Sequence, residues 1–257
     1  METSFVLSLE KILQPNAPLI VAVSQSNQYS RVTPQHQHAG GQLFGAMRGL
    51  LSVETPNNHW VVPATHAVWI PPDVPHALRS HGPFEGWSVY VAPTASTDLP
   101  LSPCIVSAQG LLRETVNRAL TWNTDGLDAA QQRIAEVILD EIRTLPHQLL
   151  GLPLPQDARL LKVAQALIHE PADGRSLEMW AEWVAIAPRT MTRRFVTETG
   201  FTFTEWRQRV RLLRALELLA SGQAVTTVAL ALGYDNSSSF IALFKRTFGK
   251  TPGRYSP

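Results

Sequence analysis

The sequence predicts an α+β protein of two domains. The first is a β-barrel followed by helices, and the second is an all-α domain in which a long helix joins two helix-turn-helix units. Three observations predict this architecture. β-prone segments alternate with turn residues near the N-terminus, apolar residues recur at helical spacing after residue 107, and one helical pattern occurs twice near the C-terminus. We therefore place the barrel at 1–107 and the helical domain at 157–257.

The barrel is predicted from its turn residues. Clusters such as Gly40-Gly41 and Pro71-Pro72 separate short segments rich in β-branched and aromatic residues. Many short strands with frequent turns are typical of a sandwich or barrel. The predicted strands are 21–24, 42–44, 50–54, 59–62, 67–70 and 86–91.

A helical segment at 108–148 is predicted to contain two helices, 110–122 and 127–145. The second has an apolar stripe that must be buried, formed by Ile134, Val137, Ile138 and Ile142. A second copy of the chain can cover this stripe, which makes the segment a candidate for homodimerisation, and so can the chain's own barrel. The Pro-rich run at 149–156 cannot continue a helix and is predicted to be the interdomain linker.

The helix-turn-helix units are predicted at 176–199 and 225–248. In the first unit Ser176 is a helix N-cap, Pro188 takes the first position of the next helix and Gly200 ends it. In the second unit either Asp235 or Asn236 caps the trailing helix. Gly249 ends that helix.

The trailing halves of the two units repeat in sequence. Phe195, Gly200, Thr202 and Trp206 recur 49 positions later as Phe244, Gly249, Thr251 and Tyr255. Between the units, residues 204–220 are predicted to form one continuous helix. Its inward residues are Trp206, Val210, Leu213, Leu216 and Leu219. Such a rigid helix can hold two recognition helices about 34 Å apart, so that they enter successive major grooves on one face of a DNA duplex.

Composition and charge narrow the function. No apolar run approaches the roughly 20 residues that cross a bilayer, and positions 1–15 lack the pattern of a secretory signal, so we expect a cytoplasmic protein with no membrane partner. Cys104 is the only cysteine, which excludes an internal disulfide. Residues 1–156 carry 8 Lys/Arg and 12 Asp/Glu, for −4, whereas residues 157–257 carry 14 and 9, for +5. Only the second part has the charge of a polyanion binder.

The runs SLEMWAEWVAIAPRTMTRRF at 176–195, VALALGY at 228–234 and FKRTFGKTPGRY at 244–255 resemble the DNA-binding domain of the AraC/XylS family. The resemblance implies that Arg189, Thr192 and Arg193 face bases, because an arginine fork matches guanine O6 and N7, with Thr190 and Arg194 nearer phosphates. In the second unit it implies groove contacts by Asn236, Ser237 and Ser238, and backbone contacts by Lys245 and Arg246.

Two positions depart from that family. Ile241 and Ala242 stand where relatives commonly carry a polar residue and an arginine, and these side chains can touch a thymine methyl but cannot donate paired hydrogen bonds. We therefore expect the first unit to supply most base discrimination and the second unit mainly affinity and position. Ala187 replaces a capping serine, so the helix start there depends on Pro188.

Two segments of the barrel, HQHAGGQLFGAMRG at 36–49 and PPDVPH at 71–76, resemble the motifs of the cupin fold. Gln42 replaces the motif's glutamate and Asp73 its glycine. Residues two apart on a strand share a face, so His36 and His38 are expected to project together. The predicted effector pocket contains His36, His38, Gln42, Trp69 and His76. The remaining barrel histidines, His59, His66 and His81, are predicted at surfaces or turns.

The same motifs give a candidate metal site. His36, His38, Gln42 and His76 are a donor set for a divalent ion such as Zn, Ni or Fe, since imidazoles suit these metals. The alternative is a metal-free polar pocket, because the neutral amide of Gln42 is a weaker ligand than a carboxylate.

Together the two resemblances imply a transcription factor rather than an enzyme. Such a protein binds double-stranded promoter or operator DNA and responds to a small-molecule effector or metal in the cupin domain, and it contacts RNA polymerase if it activates. The alternative is a cupin metalloenzyme, such as a dioxygenase or isomerase, with an accessory helical domain.

Overall fold

A computed structural model describes Ile12, Gln14 and residues 17–123, 126–146 and 151–254. Residues 149–150 of the predicted linker and Tyr255 of the repeat lie outside these ranges. The chain divides into two compact units, Met1–Thr55 with Val62–Leu150, and Pro56–Val61 with Gly151–Pro257. Among the described residues, no helix combines the length and the apolar character that a membrane span requires.

The first unit is built on an antiparallel sheet in which β6 is the central strand. Its first half pairs with β2, its second half pairs with β1, and β3 pairs along most of it. On the other side of β3, β5 pairs with β3 and then with β7. The strands of this unit are β1 (Ile20–Asn27), β2 (Arg31–His36), β3 (Gly41–Thr55), β5 (His66–Ile70), β6 (His76–Val91) and β7 (Cys104–Ser107), while β4 (Asn58–Pro63) passes into the second unit.

All six predicted strands form, with two of them, 42–44 and 50–54, joined in the single strand β3. The sequence did not predict β2, β7 or the first half of β6. Strand β2 contains Pro34 and has no fully buried residue, and the first half of β6 is polar. Both segments lack the apolar alternation by which a strand is recognised, because most of their side chains are polar. Strand β7 is apolar and buried but only four residues long, which is short for recognition from sequence.

Helices α1 (Leu111–Ala119) and α2 (Ala129–Thr144) follow the strands, close to the predicted bounds. Asp128 caps α2 in a capping box with Gln131. Part of the apolar stripe of α2 is covered by the chain itself. Ile138 and Ile142 are buried in one cluster with sheet residues that include Leu43 and Val89, whereas Ile134 and Val137 are half-buried and lie outside that cluster.

The second unit is helical, as predicted. Its helices are α3 (Ala158–His169), α4 (Leu177–Trp183), α5 (Pro188–Thr199), α6 (Phe203–Ala220), α7 (Val225–Ala231) and α8 (Ser237–Phe248). The predicted boundaries are confirmed: the side chains of Ser176 and Asn236 accept backbone N–H groups, and Pro188 opens α5. Both Gly200 and Gly249 end their helices in the left-handed conformation.

The long helix α6 supplies the core of this unit. All five residues predicted to face inward along it are buried. Trp206 lies edge-on to Phe195 of α5, with ring centroids 5.6 Å apart, and its indole N–H donates to the carbonyl of Pro153 at 2.7 Å. A capping box between Thr202 and Glu205, which sequence reasoning missed, fixes its start.

The prediction that residues 151–153 are linker is wrong. Gly151–Pro153 forms strand β8, which pairs with β4 so that Asn58 lies opposite Pro153 and Trp60 opposite Gly151. Proline lacks only the N–H donor and fits extended backbone, so it is tolerated where no neighbouring strand needs that donor. The proline content that indicated a linker is therefore compatible with a strand.

The turns of the two helix-turn-helix units share one backbone conformation. Ala185 has φ 51° and Gly233 has φ 74°. The next residue in each case donates its N–H across the turn, to Ala181 O at 2.9 Å and to Ala229 O at 3.1 Å. The left-handed region costs an L-residue roughly 1–2 kcal/mol. The first unit therefore carries backbone strain that glycine relieves in the second.

Exchanging the residues at these two positions should have opposite effects. We expect Ala185→Gly to raise the free energy of unfolding by about 1 kcal/mol and Gly233→Ala to lower it by at least about as much. The added methyl group of the second variant would also meet Ala172 O at 3.2 Å. Urea unfolding followed by helical circular dichroism measures both changes. Ala187→Gly, at φ −63°, is the control, and a loss of stability in Ala185→Gly would contradict the strain.

Candidate effector site and candidate nucleic-acid interface

The register of β3 separates two faces of the sheet. Gln42 lies opposite Ile70 and Tyr90, whereas its neighbour Leu43 lies opposite Trp69 and Val89. Directly opposed residues of an antiparallel pair share a face, and successive residues alternate. Trp69 therefore lies on the other face from Gln42, packs in the helix-covered cluster and donates its indole N–H to Pro100 O at 2.8 Å. Its assignment to the effector pocket is wrong.

The structure brings the other four predicted residues together. Ring nitrogens of His36, His38 and His76 all lie within 4.8 Å of one another. Oε1 of Gln42 lies 3.1 Å from Nε2 of His38 and 3.2 Å from Nε2 of His76. His36 ends β2 opposite His76, but His38 lies beyond the strand, so the two-residue alternation is not what aligns the pair.

A loop places His38 instead. Asp73 donates its backbone N–H to the carbonyl of His38 at 2.9 Å. Asp73 has φ 58°, in the left-handed region, where glycine is favoured and aspartate is among the better tolerated alternatives. This conformation explains why a glycine is usual at this motif position and how the chain keeps the loop without one.

Hydrogen bonding fixes the tautomers of the three imidazoles. Their Nδ1 atoms lie 2.9, 2.6 and 2.9 Å from the carbonyl oxygens of Pro34, Gly40 and Val74. A carbonyl oxygen can only accept, so each Nδ1 carries the proton and each neutral ring has its lone pair on Nε2. Burial lowers the pKa of His76 to about 4 and also lowers the pKa of His38, which keeps both rings neutral near pH 7.

Gln42 can complete this site in two ways. When its Oε1 points toward the rings, this acceptor faces the Nε2 lone pairs of His38 and His76. These contacts are favourable only if a cation lies between the atoms. In that orientation Nε2 of Gln42 donates to Ser88 Oγ at 3.1 Å and to Tyr90 Oη at 3.3 Å. With the amide reversed, its NH₂ group donates to both imidazoles and its oxygen accepts from the two hydroxyls. The donor set thus fits a divalent ion in one amide orientation and a metal-free network in the other.

Ser88 and Tyr90 are site residues that sequence reasoning missed. Both lie on β6 on the same face as Gln42, and burial raises the pKa of the Tyr90 hydroxyl. The signal that could have found them is the two-residue alternation of Ser88 and Tyr90. The surface or turn prediction for His81 was also wrong, because His81 is buried and hydrogen bonded to Ser52 at 2.8 Å.

Helix α5 exposes one of its faces. Arg189, Thr192 and Arg193 are exposed on it, and in the described part of the chain no carboxylate pairs with either arginine. Val196, one turn further along, is 42% exposed. Sequence reasoning missed it, although its spacing from Arg189 and Arg193 places it on the same helical face. An apolar side chain on such a face can contact a thymine methyl.

Arg194 and Thr190 lie on a different, half-buried side of α5. Arg194 forms an ion pair with Asp157, the N-cap of α3. From the same side of α5, Glu198 accepts the backbone N–H groups of Gln156 and Asp157 at 2.8 and 3.0 Å. Residues 156–157 are therefore clamped to the helix, and Arg194 can reach a phosphate only if its ion pair opens.

Helix α8 presents a less basic face. Ser238, Ala242 and Lys245 are exposed at helical spacing, with Arg246 beside them. Ser237 and Ile241 are half-buried. The side chain of Asn236 accepts the backbone N–H of Ser239 at 2.9 Å, so its oxygen is used in capping and only its amide NH₂ remains to donate to DNA.

Comparison with known proteins agrees with both parts of the chain. Residues 18–179 match the family described as AraC-like ligand binding domain, and residues 180–256 match a helix-turn-helix domain family. The HTH-type transcriptional regulator NimR of Escherichia coli is 34% identical over 227 residues, which cover 87% of this chain and 82% of NimR. RipA of Corynebacterium glutamicum is 37% identical over 131 residues, 51% of this chain and 38% of RipA.

These matches define a class of protein, a transcription regulator with a ligand-binding domain and a DNA-binding helix-turn-helix domain. The chain belongs to the AraC family. Its first unit is the sheet-rich, cupin-like ligand-binding domain of that family, and the relatives named above are regulators of transcription.

Removing the Asp157 carboxylate tests whether the clamp restrains Arg194. Hydrogen bonding from the Arg159 side chain holds the pKa of Asp157 below its ordinary value, so the group is ionised near pH 7. Asparagine preserves the N-cap but loses the ion pair. Because the carboxylate also pairs with Arg159, the change and its control are compared in an Arg159→Gln background. There we expect Asp157→Asn to bind DNA from upstream of its own gene more tightly and to steepen the logarithmic salt dependence by about one.

Fluorescence anisotropy at several salt concentrations measures this dependence. Glu170→Gln removes the same charge from an exposed position of the same unit without releasing an arginine, so its slope should match that of the Arg159→Gln parent. If Asp157→Asn also has the slope of that parent, Arg194 is not a latent phosphate contact.

Proposed function

We propose that this regulator binds a double-stranded operator through α5 and α8, and that an effector in the cupin-like domain sets its affinity. The observation that carries the proposal is the repeated unit. In each copy, aromatic residues bury one side of the trailing helix, Phe195 in α5 and Phe240 with Phe244 in α8, while polar and basic residues occupy the opposite side. Helices with this division of faces are suited to the major groove.

The proposal includes unequal roles for the two helices. Arg189 and Arg193 on α5 can each hold a guanine through paired hydrogen bonds, with Thr192 beside them. On α8, Asn236, Ser237 and Ser238 contribute groove contacts, and Lys245 and Arg246 bind phosphates. Thr190 contacts a phosphate directly, and Arg194 does so once its ion pair with Asp157 opens.

Several partners follow from this function. The protein acts in the cytoplasm, where its DNA lies, it contacts RNA polymerase if it activates transcription, and it is not an enzyme. We also propose a homodimer. Ile134 and Val137 of α2 are half-buried and outside the core cluster, so they are candidates for its interface, and sedimentation of the purified protein measures whether a dimer forms.

Substitutions on the two helices should have different consequences. We expect Arg193→Ala to cost about 1–3 kcal/mol of binding free energy at its half-site and to relax base preference there. Lys245→Ala should weaken binding similarly for all sequences and lower the salt slope by about one. Anisotropy with footprinted operators altered in one half-site at a time measures both effects. Equal losses from the two half-sites would contradict the division of roles.

We further propose that His36, His38, His76 and Oε1 of Gln42 hold a divalent metal ion. Three imidazoles whose Nε2 atoms converge with a carbonyl oxygen are a donor set suited to Zn, Ni or Fe. Each Nδ1–H is already held by a backbone carbonyl, which is the outer hydrogen bond that orients metal-binding histidines. The ion orients an effector or is itself the effector.

Metal content tests this site. We expect the chain, stripped with a chelator and titrated with Zn, Ni or Fe, to bind one ion and to melt at higher temperature. His76→Ala should lose the ion, and Gln42→Glu should bind it more tightly because a carboxylate adds negative charge. His66→Gln, on β5 and outside the cluster, is the control and should bind normally. A wild-type protein without metal, or His76→Ala with full occupancy, would favour the metal-free network.

A further inference from the structure

A second polar pocket lies inside the sheet of the first unit, beside the histidine site. Its cavity volume is about 30 Å³, room for roughly two water molecules, and it is partly open to solvent, so it suits a small ligand. Phe44 and Ser88 belong to both places. The ring of Phe44 stacks 6.4 Å from that of His76, and Ser88 accepts a hydrogen bond from Gln42. The pocket therefore adjoins the metal candidate without using its ligands.

The charge of this pocket is one-sided. Among the described residues that line it, Arg31 is the only charged one, and none is Asp or Glu. Among the described residues, no carboxylate lies within ion-pair distance of the Arg31 guanidinium. A half-buried guanidinium without a counter-ion favours an anion, and its planar fork matches the two oxygens of a carboxylate.

Ser80 adds a second donor next to Arg31. The two residues lie opposite each other on β2 and β6, and Ser80 is buried. Its Oγ accepts the side-chain N–H of Asn27 at 3.3 Å and the backbone N–H of Arg31 at 3.0 Å. A hydroxyl has two lone pairs and one proton, so with both lone pairs used, the proton remains to be donated. No acceptor for it lies among the described residues.

The rest of the lining is apolar or neutral. Leu51, Leu78 and Phe84 accompany Phe44 in the pocket, so a ligand with an apolar body is accommodated beside the two donors. A cationic ligand would be repelled by the Arg31 guanidinium, and a neutral ligand would leave that positive charge uncompensated. We propose that this pocket binds a small organic carboxylate, with its oxygens on Arg31 and Ser80 and its body against the leucine and phenylalanine side chains.

That the carboxylate is the effector rests on the proposed function, whereas its binding to the pocket does not. The test uses the full chain and a panel of small probes: formate, acetate, propionate and butyrate, each beside its primary amide at equal ionic strength. Melting temperature screens the panel, and calorimetry then measures affinity. We expect at least one carboxylate to stabilise the protein more than its amide does.

Three variants locate the site. Arg31→Gln should lower the affinity for that carboxylate by about ten- to hundredfold, as expected for a lost charged hydrogen bond. Arg31→Lys, which keeps the charge but not the fork, should retain the preference for carboxylate over amide at lower affinity. Arg79→Gln removes a charge from an exposed arginine of β6 that does not line the pocket, and it should bind as the wild type does.

The outcomes separate this inference from the proposed function. Three results would each overturn the carboxylate site. They are amides that bind as tightly as their carboxylates, a panel in which no carboxylate binds, and a carboxylate affinity that Arg31→Gln leaves unchanged. Operator affinity is measured on the same proteins without added carboxylate, and Arg31→Gln should match the wild type. If no carboxylate binds but the protein still binds its operator, only the assignment of the pocket is overturned. If the protein does not bind its operator, the proposed function is overturned.

Discussion

The alternation of side chains along β3 and β6 is the constraint on which the first unit depends. One face of these strands carries Gln42, Ser88 and Tyr90, and the other carries Leu43 and Val89. Helices α1 and α2 cover the second face and make it apolar. The first face is left free for polar chemistry. A shift of register by one residue would exchange the two sets of side chains. The amide of Gln42 would then lie in the apolar core, and Leu43 and Val89 would face the polar site.

Within the second unit, the chain that enters the helices is fixed to the first recognition helix. Strand β8 is held by its pairing with β4 and by the indole of Trp206 on Pro153. Three residues after the end of β8, the clamp at 156–157 joins the N-cap of α3 to Arg194 and Glu198 of α5. Movement of this entering segment therefore bears directly on an arginine of α5.

The two helix-turn-helix units share backbone geometry and differ in chemistry. Both use an alanine where the helices meet and a left-handed residue in the turn. The exposed face of α5 is rich in arginine, whereas that of α8 has serine and alanine followed by basic residues in its last turn. The two units share the same backbone arrangement. Their exposed side chains can differ because they do not pack in the core.

The sequence by itself determined the helical unit almost completely, since caps such as Ser176 and Asn236 and left-handed glycines act within a few residues of themselves. It also identified the three histidines and Gln42 through motif spacing. Tertiary structure decided what depends on contacts far apart in the chain. Strand register excluded Trp69 from the site, pairing converted residues 151–153 from linker to strand, and packing turned Ile138 and Ile142 of α2 inward. No local pattern encodes such partners, because the same apolar or extended segment satisfies several of them until the whole fold selects one.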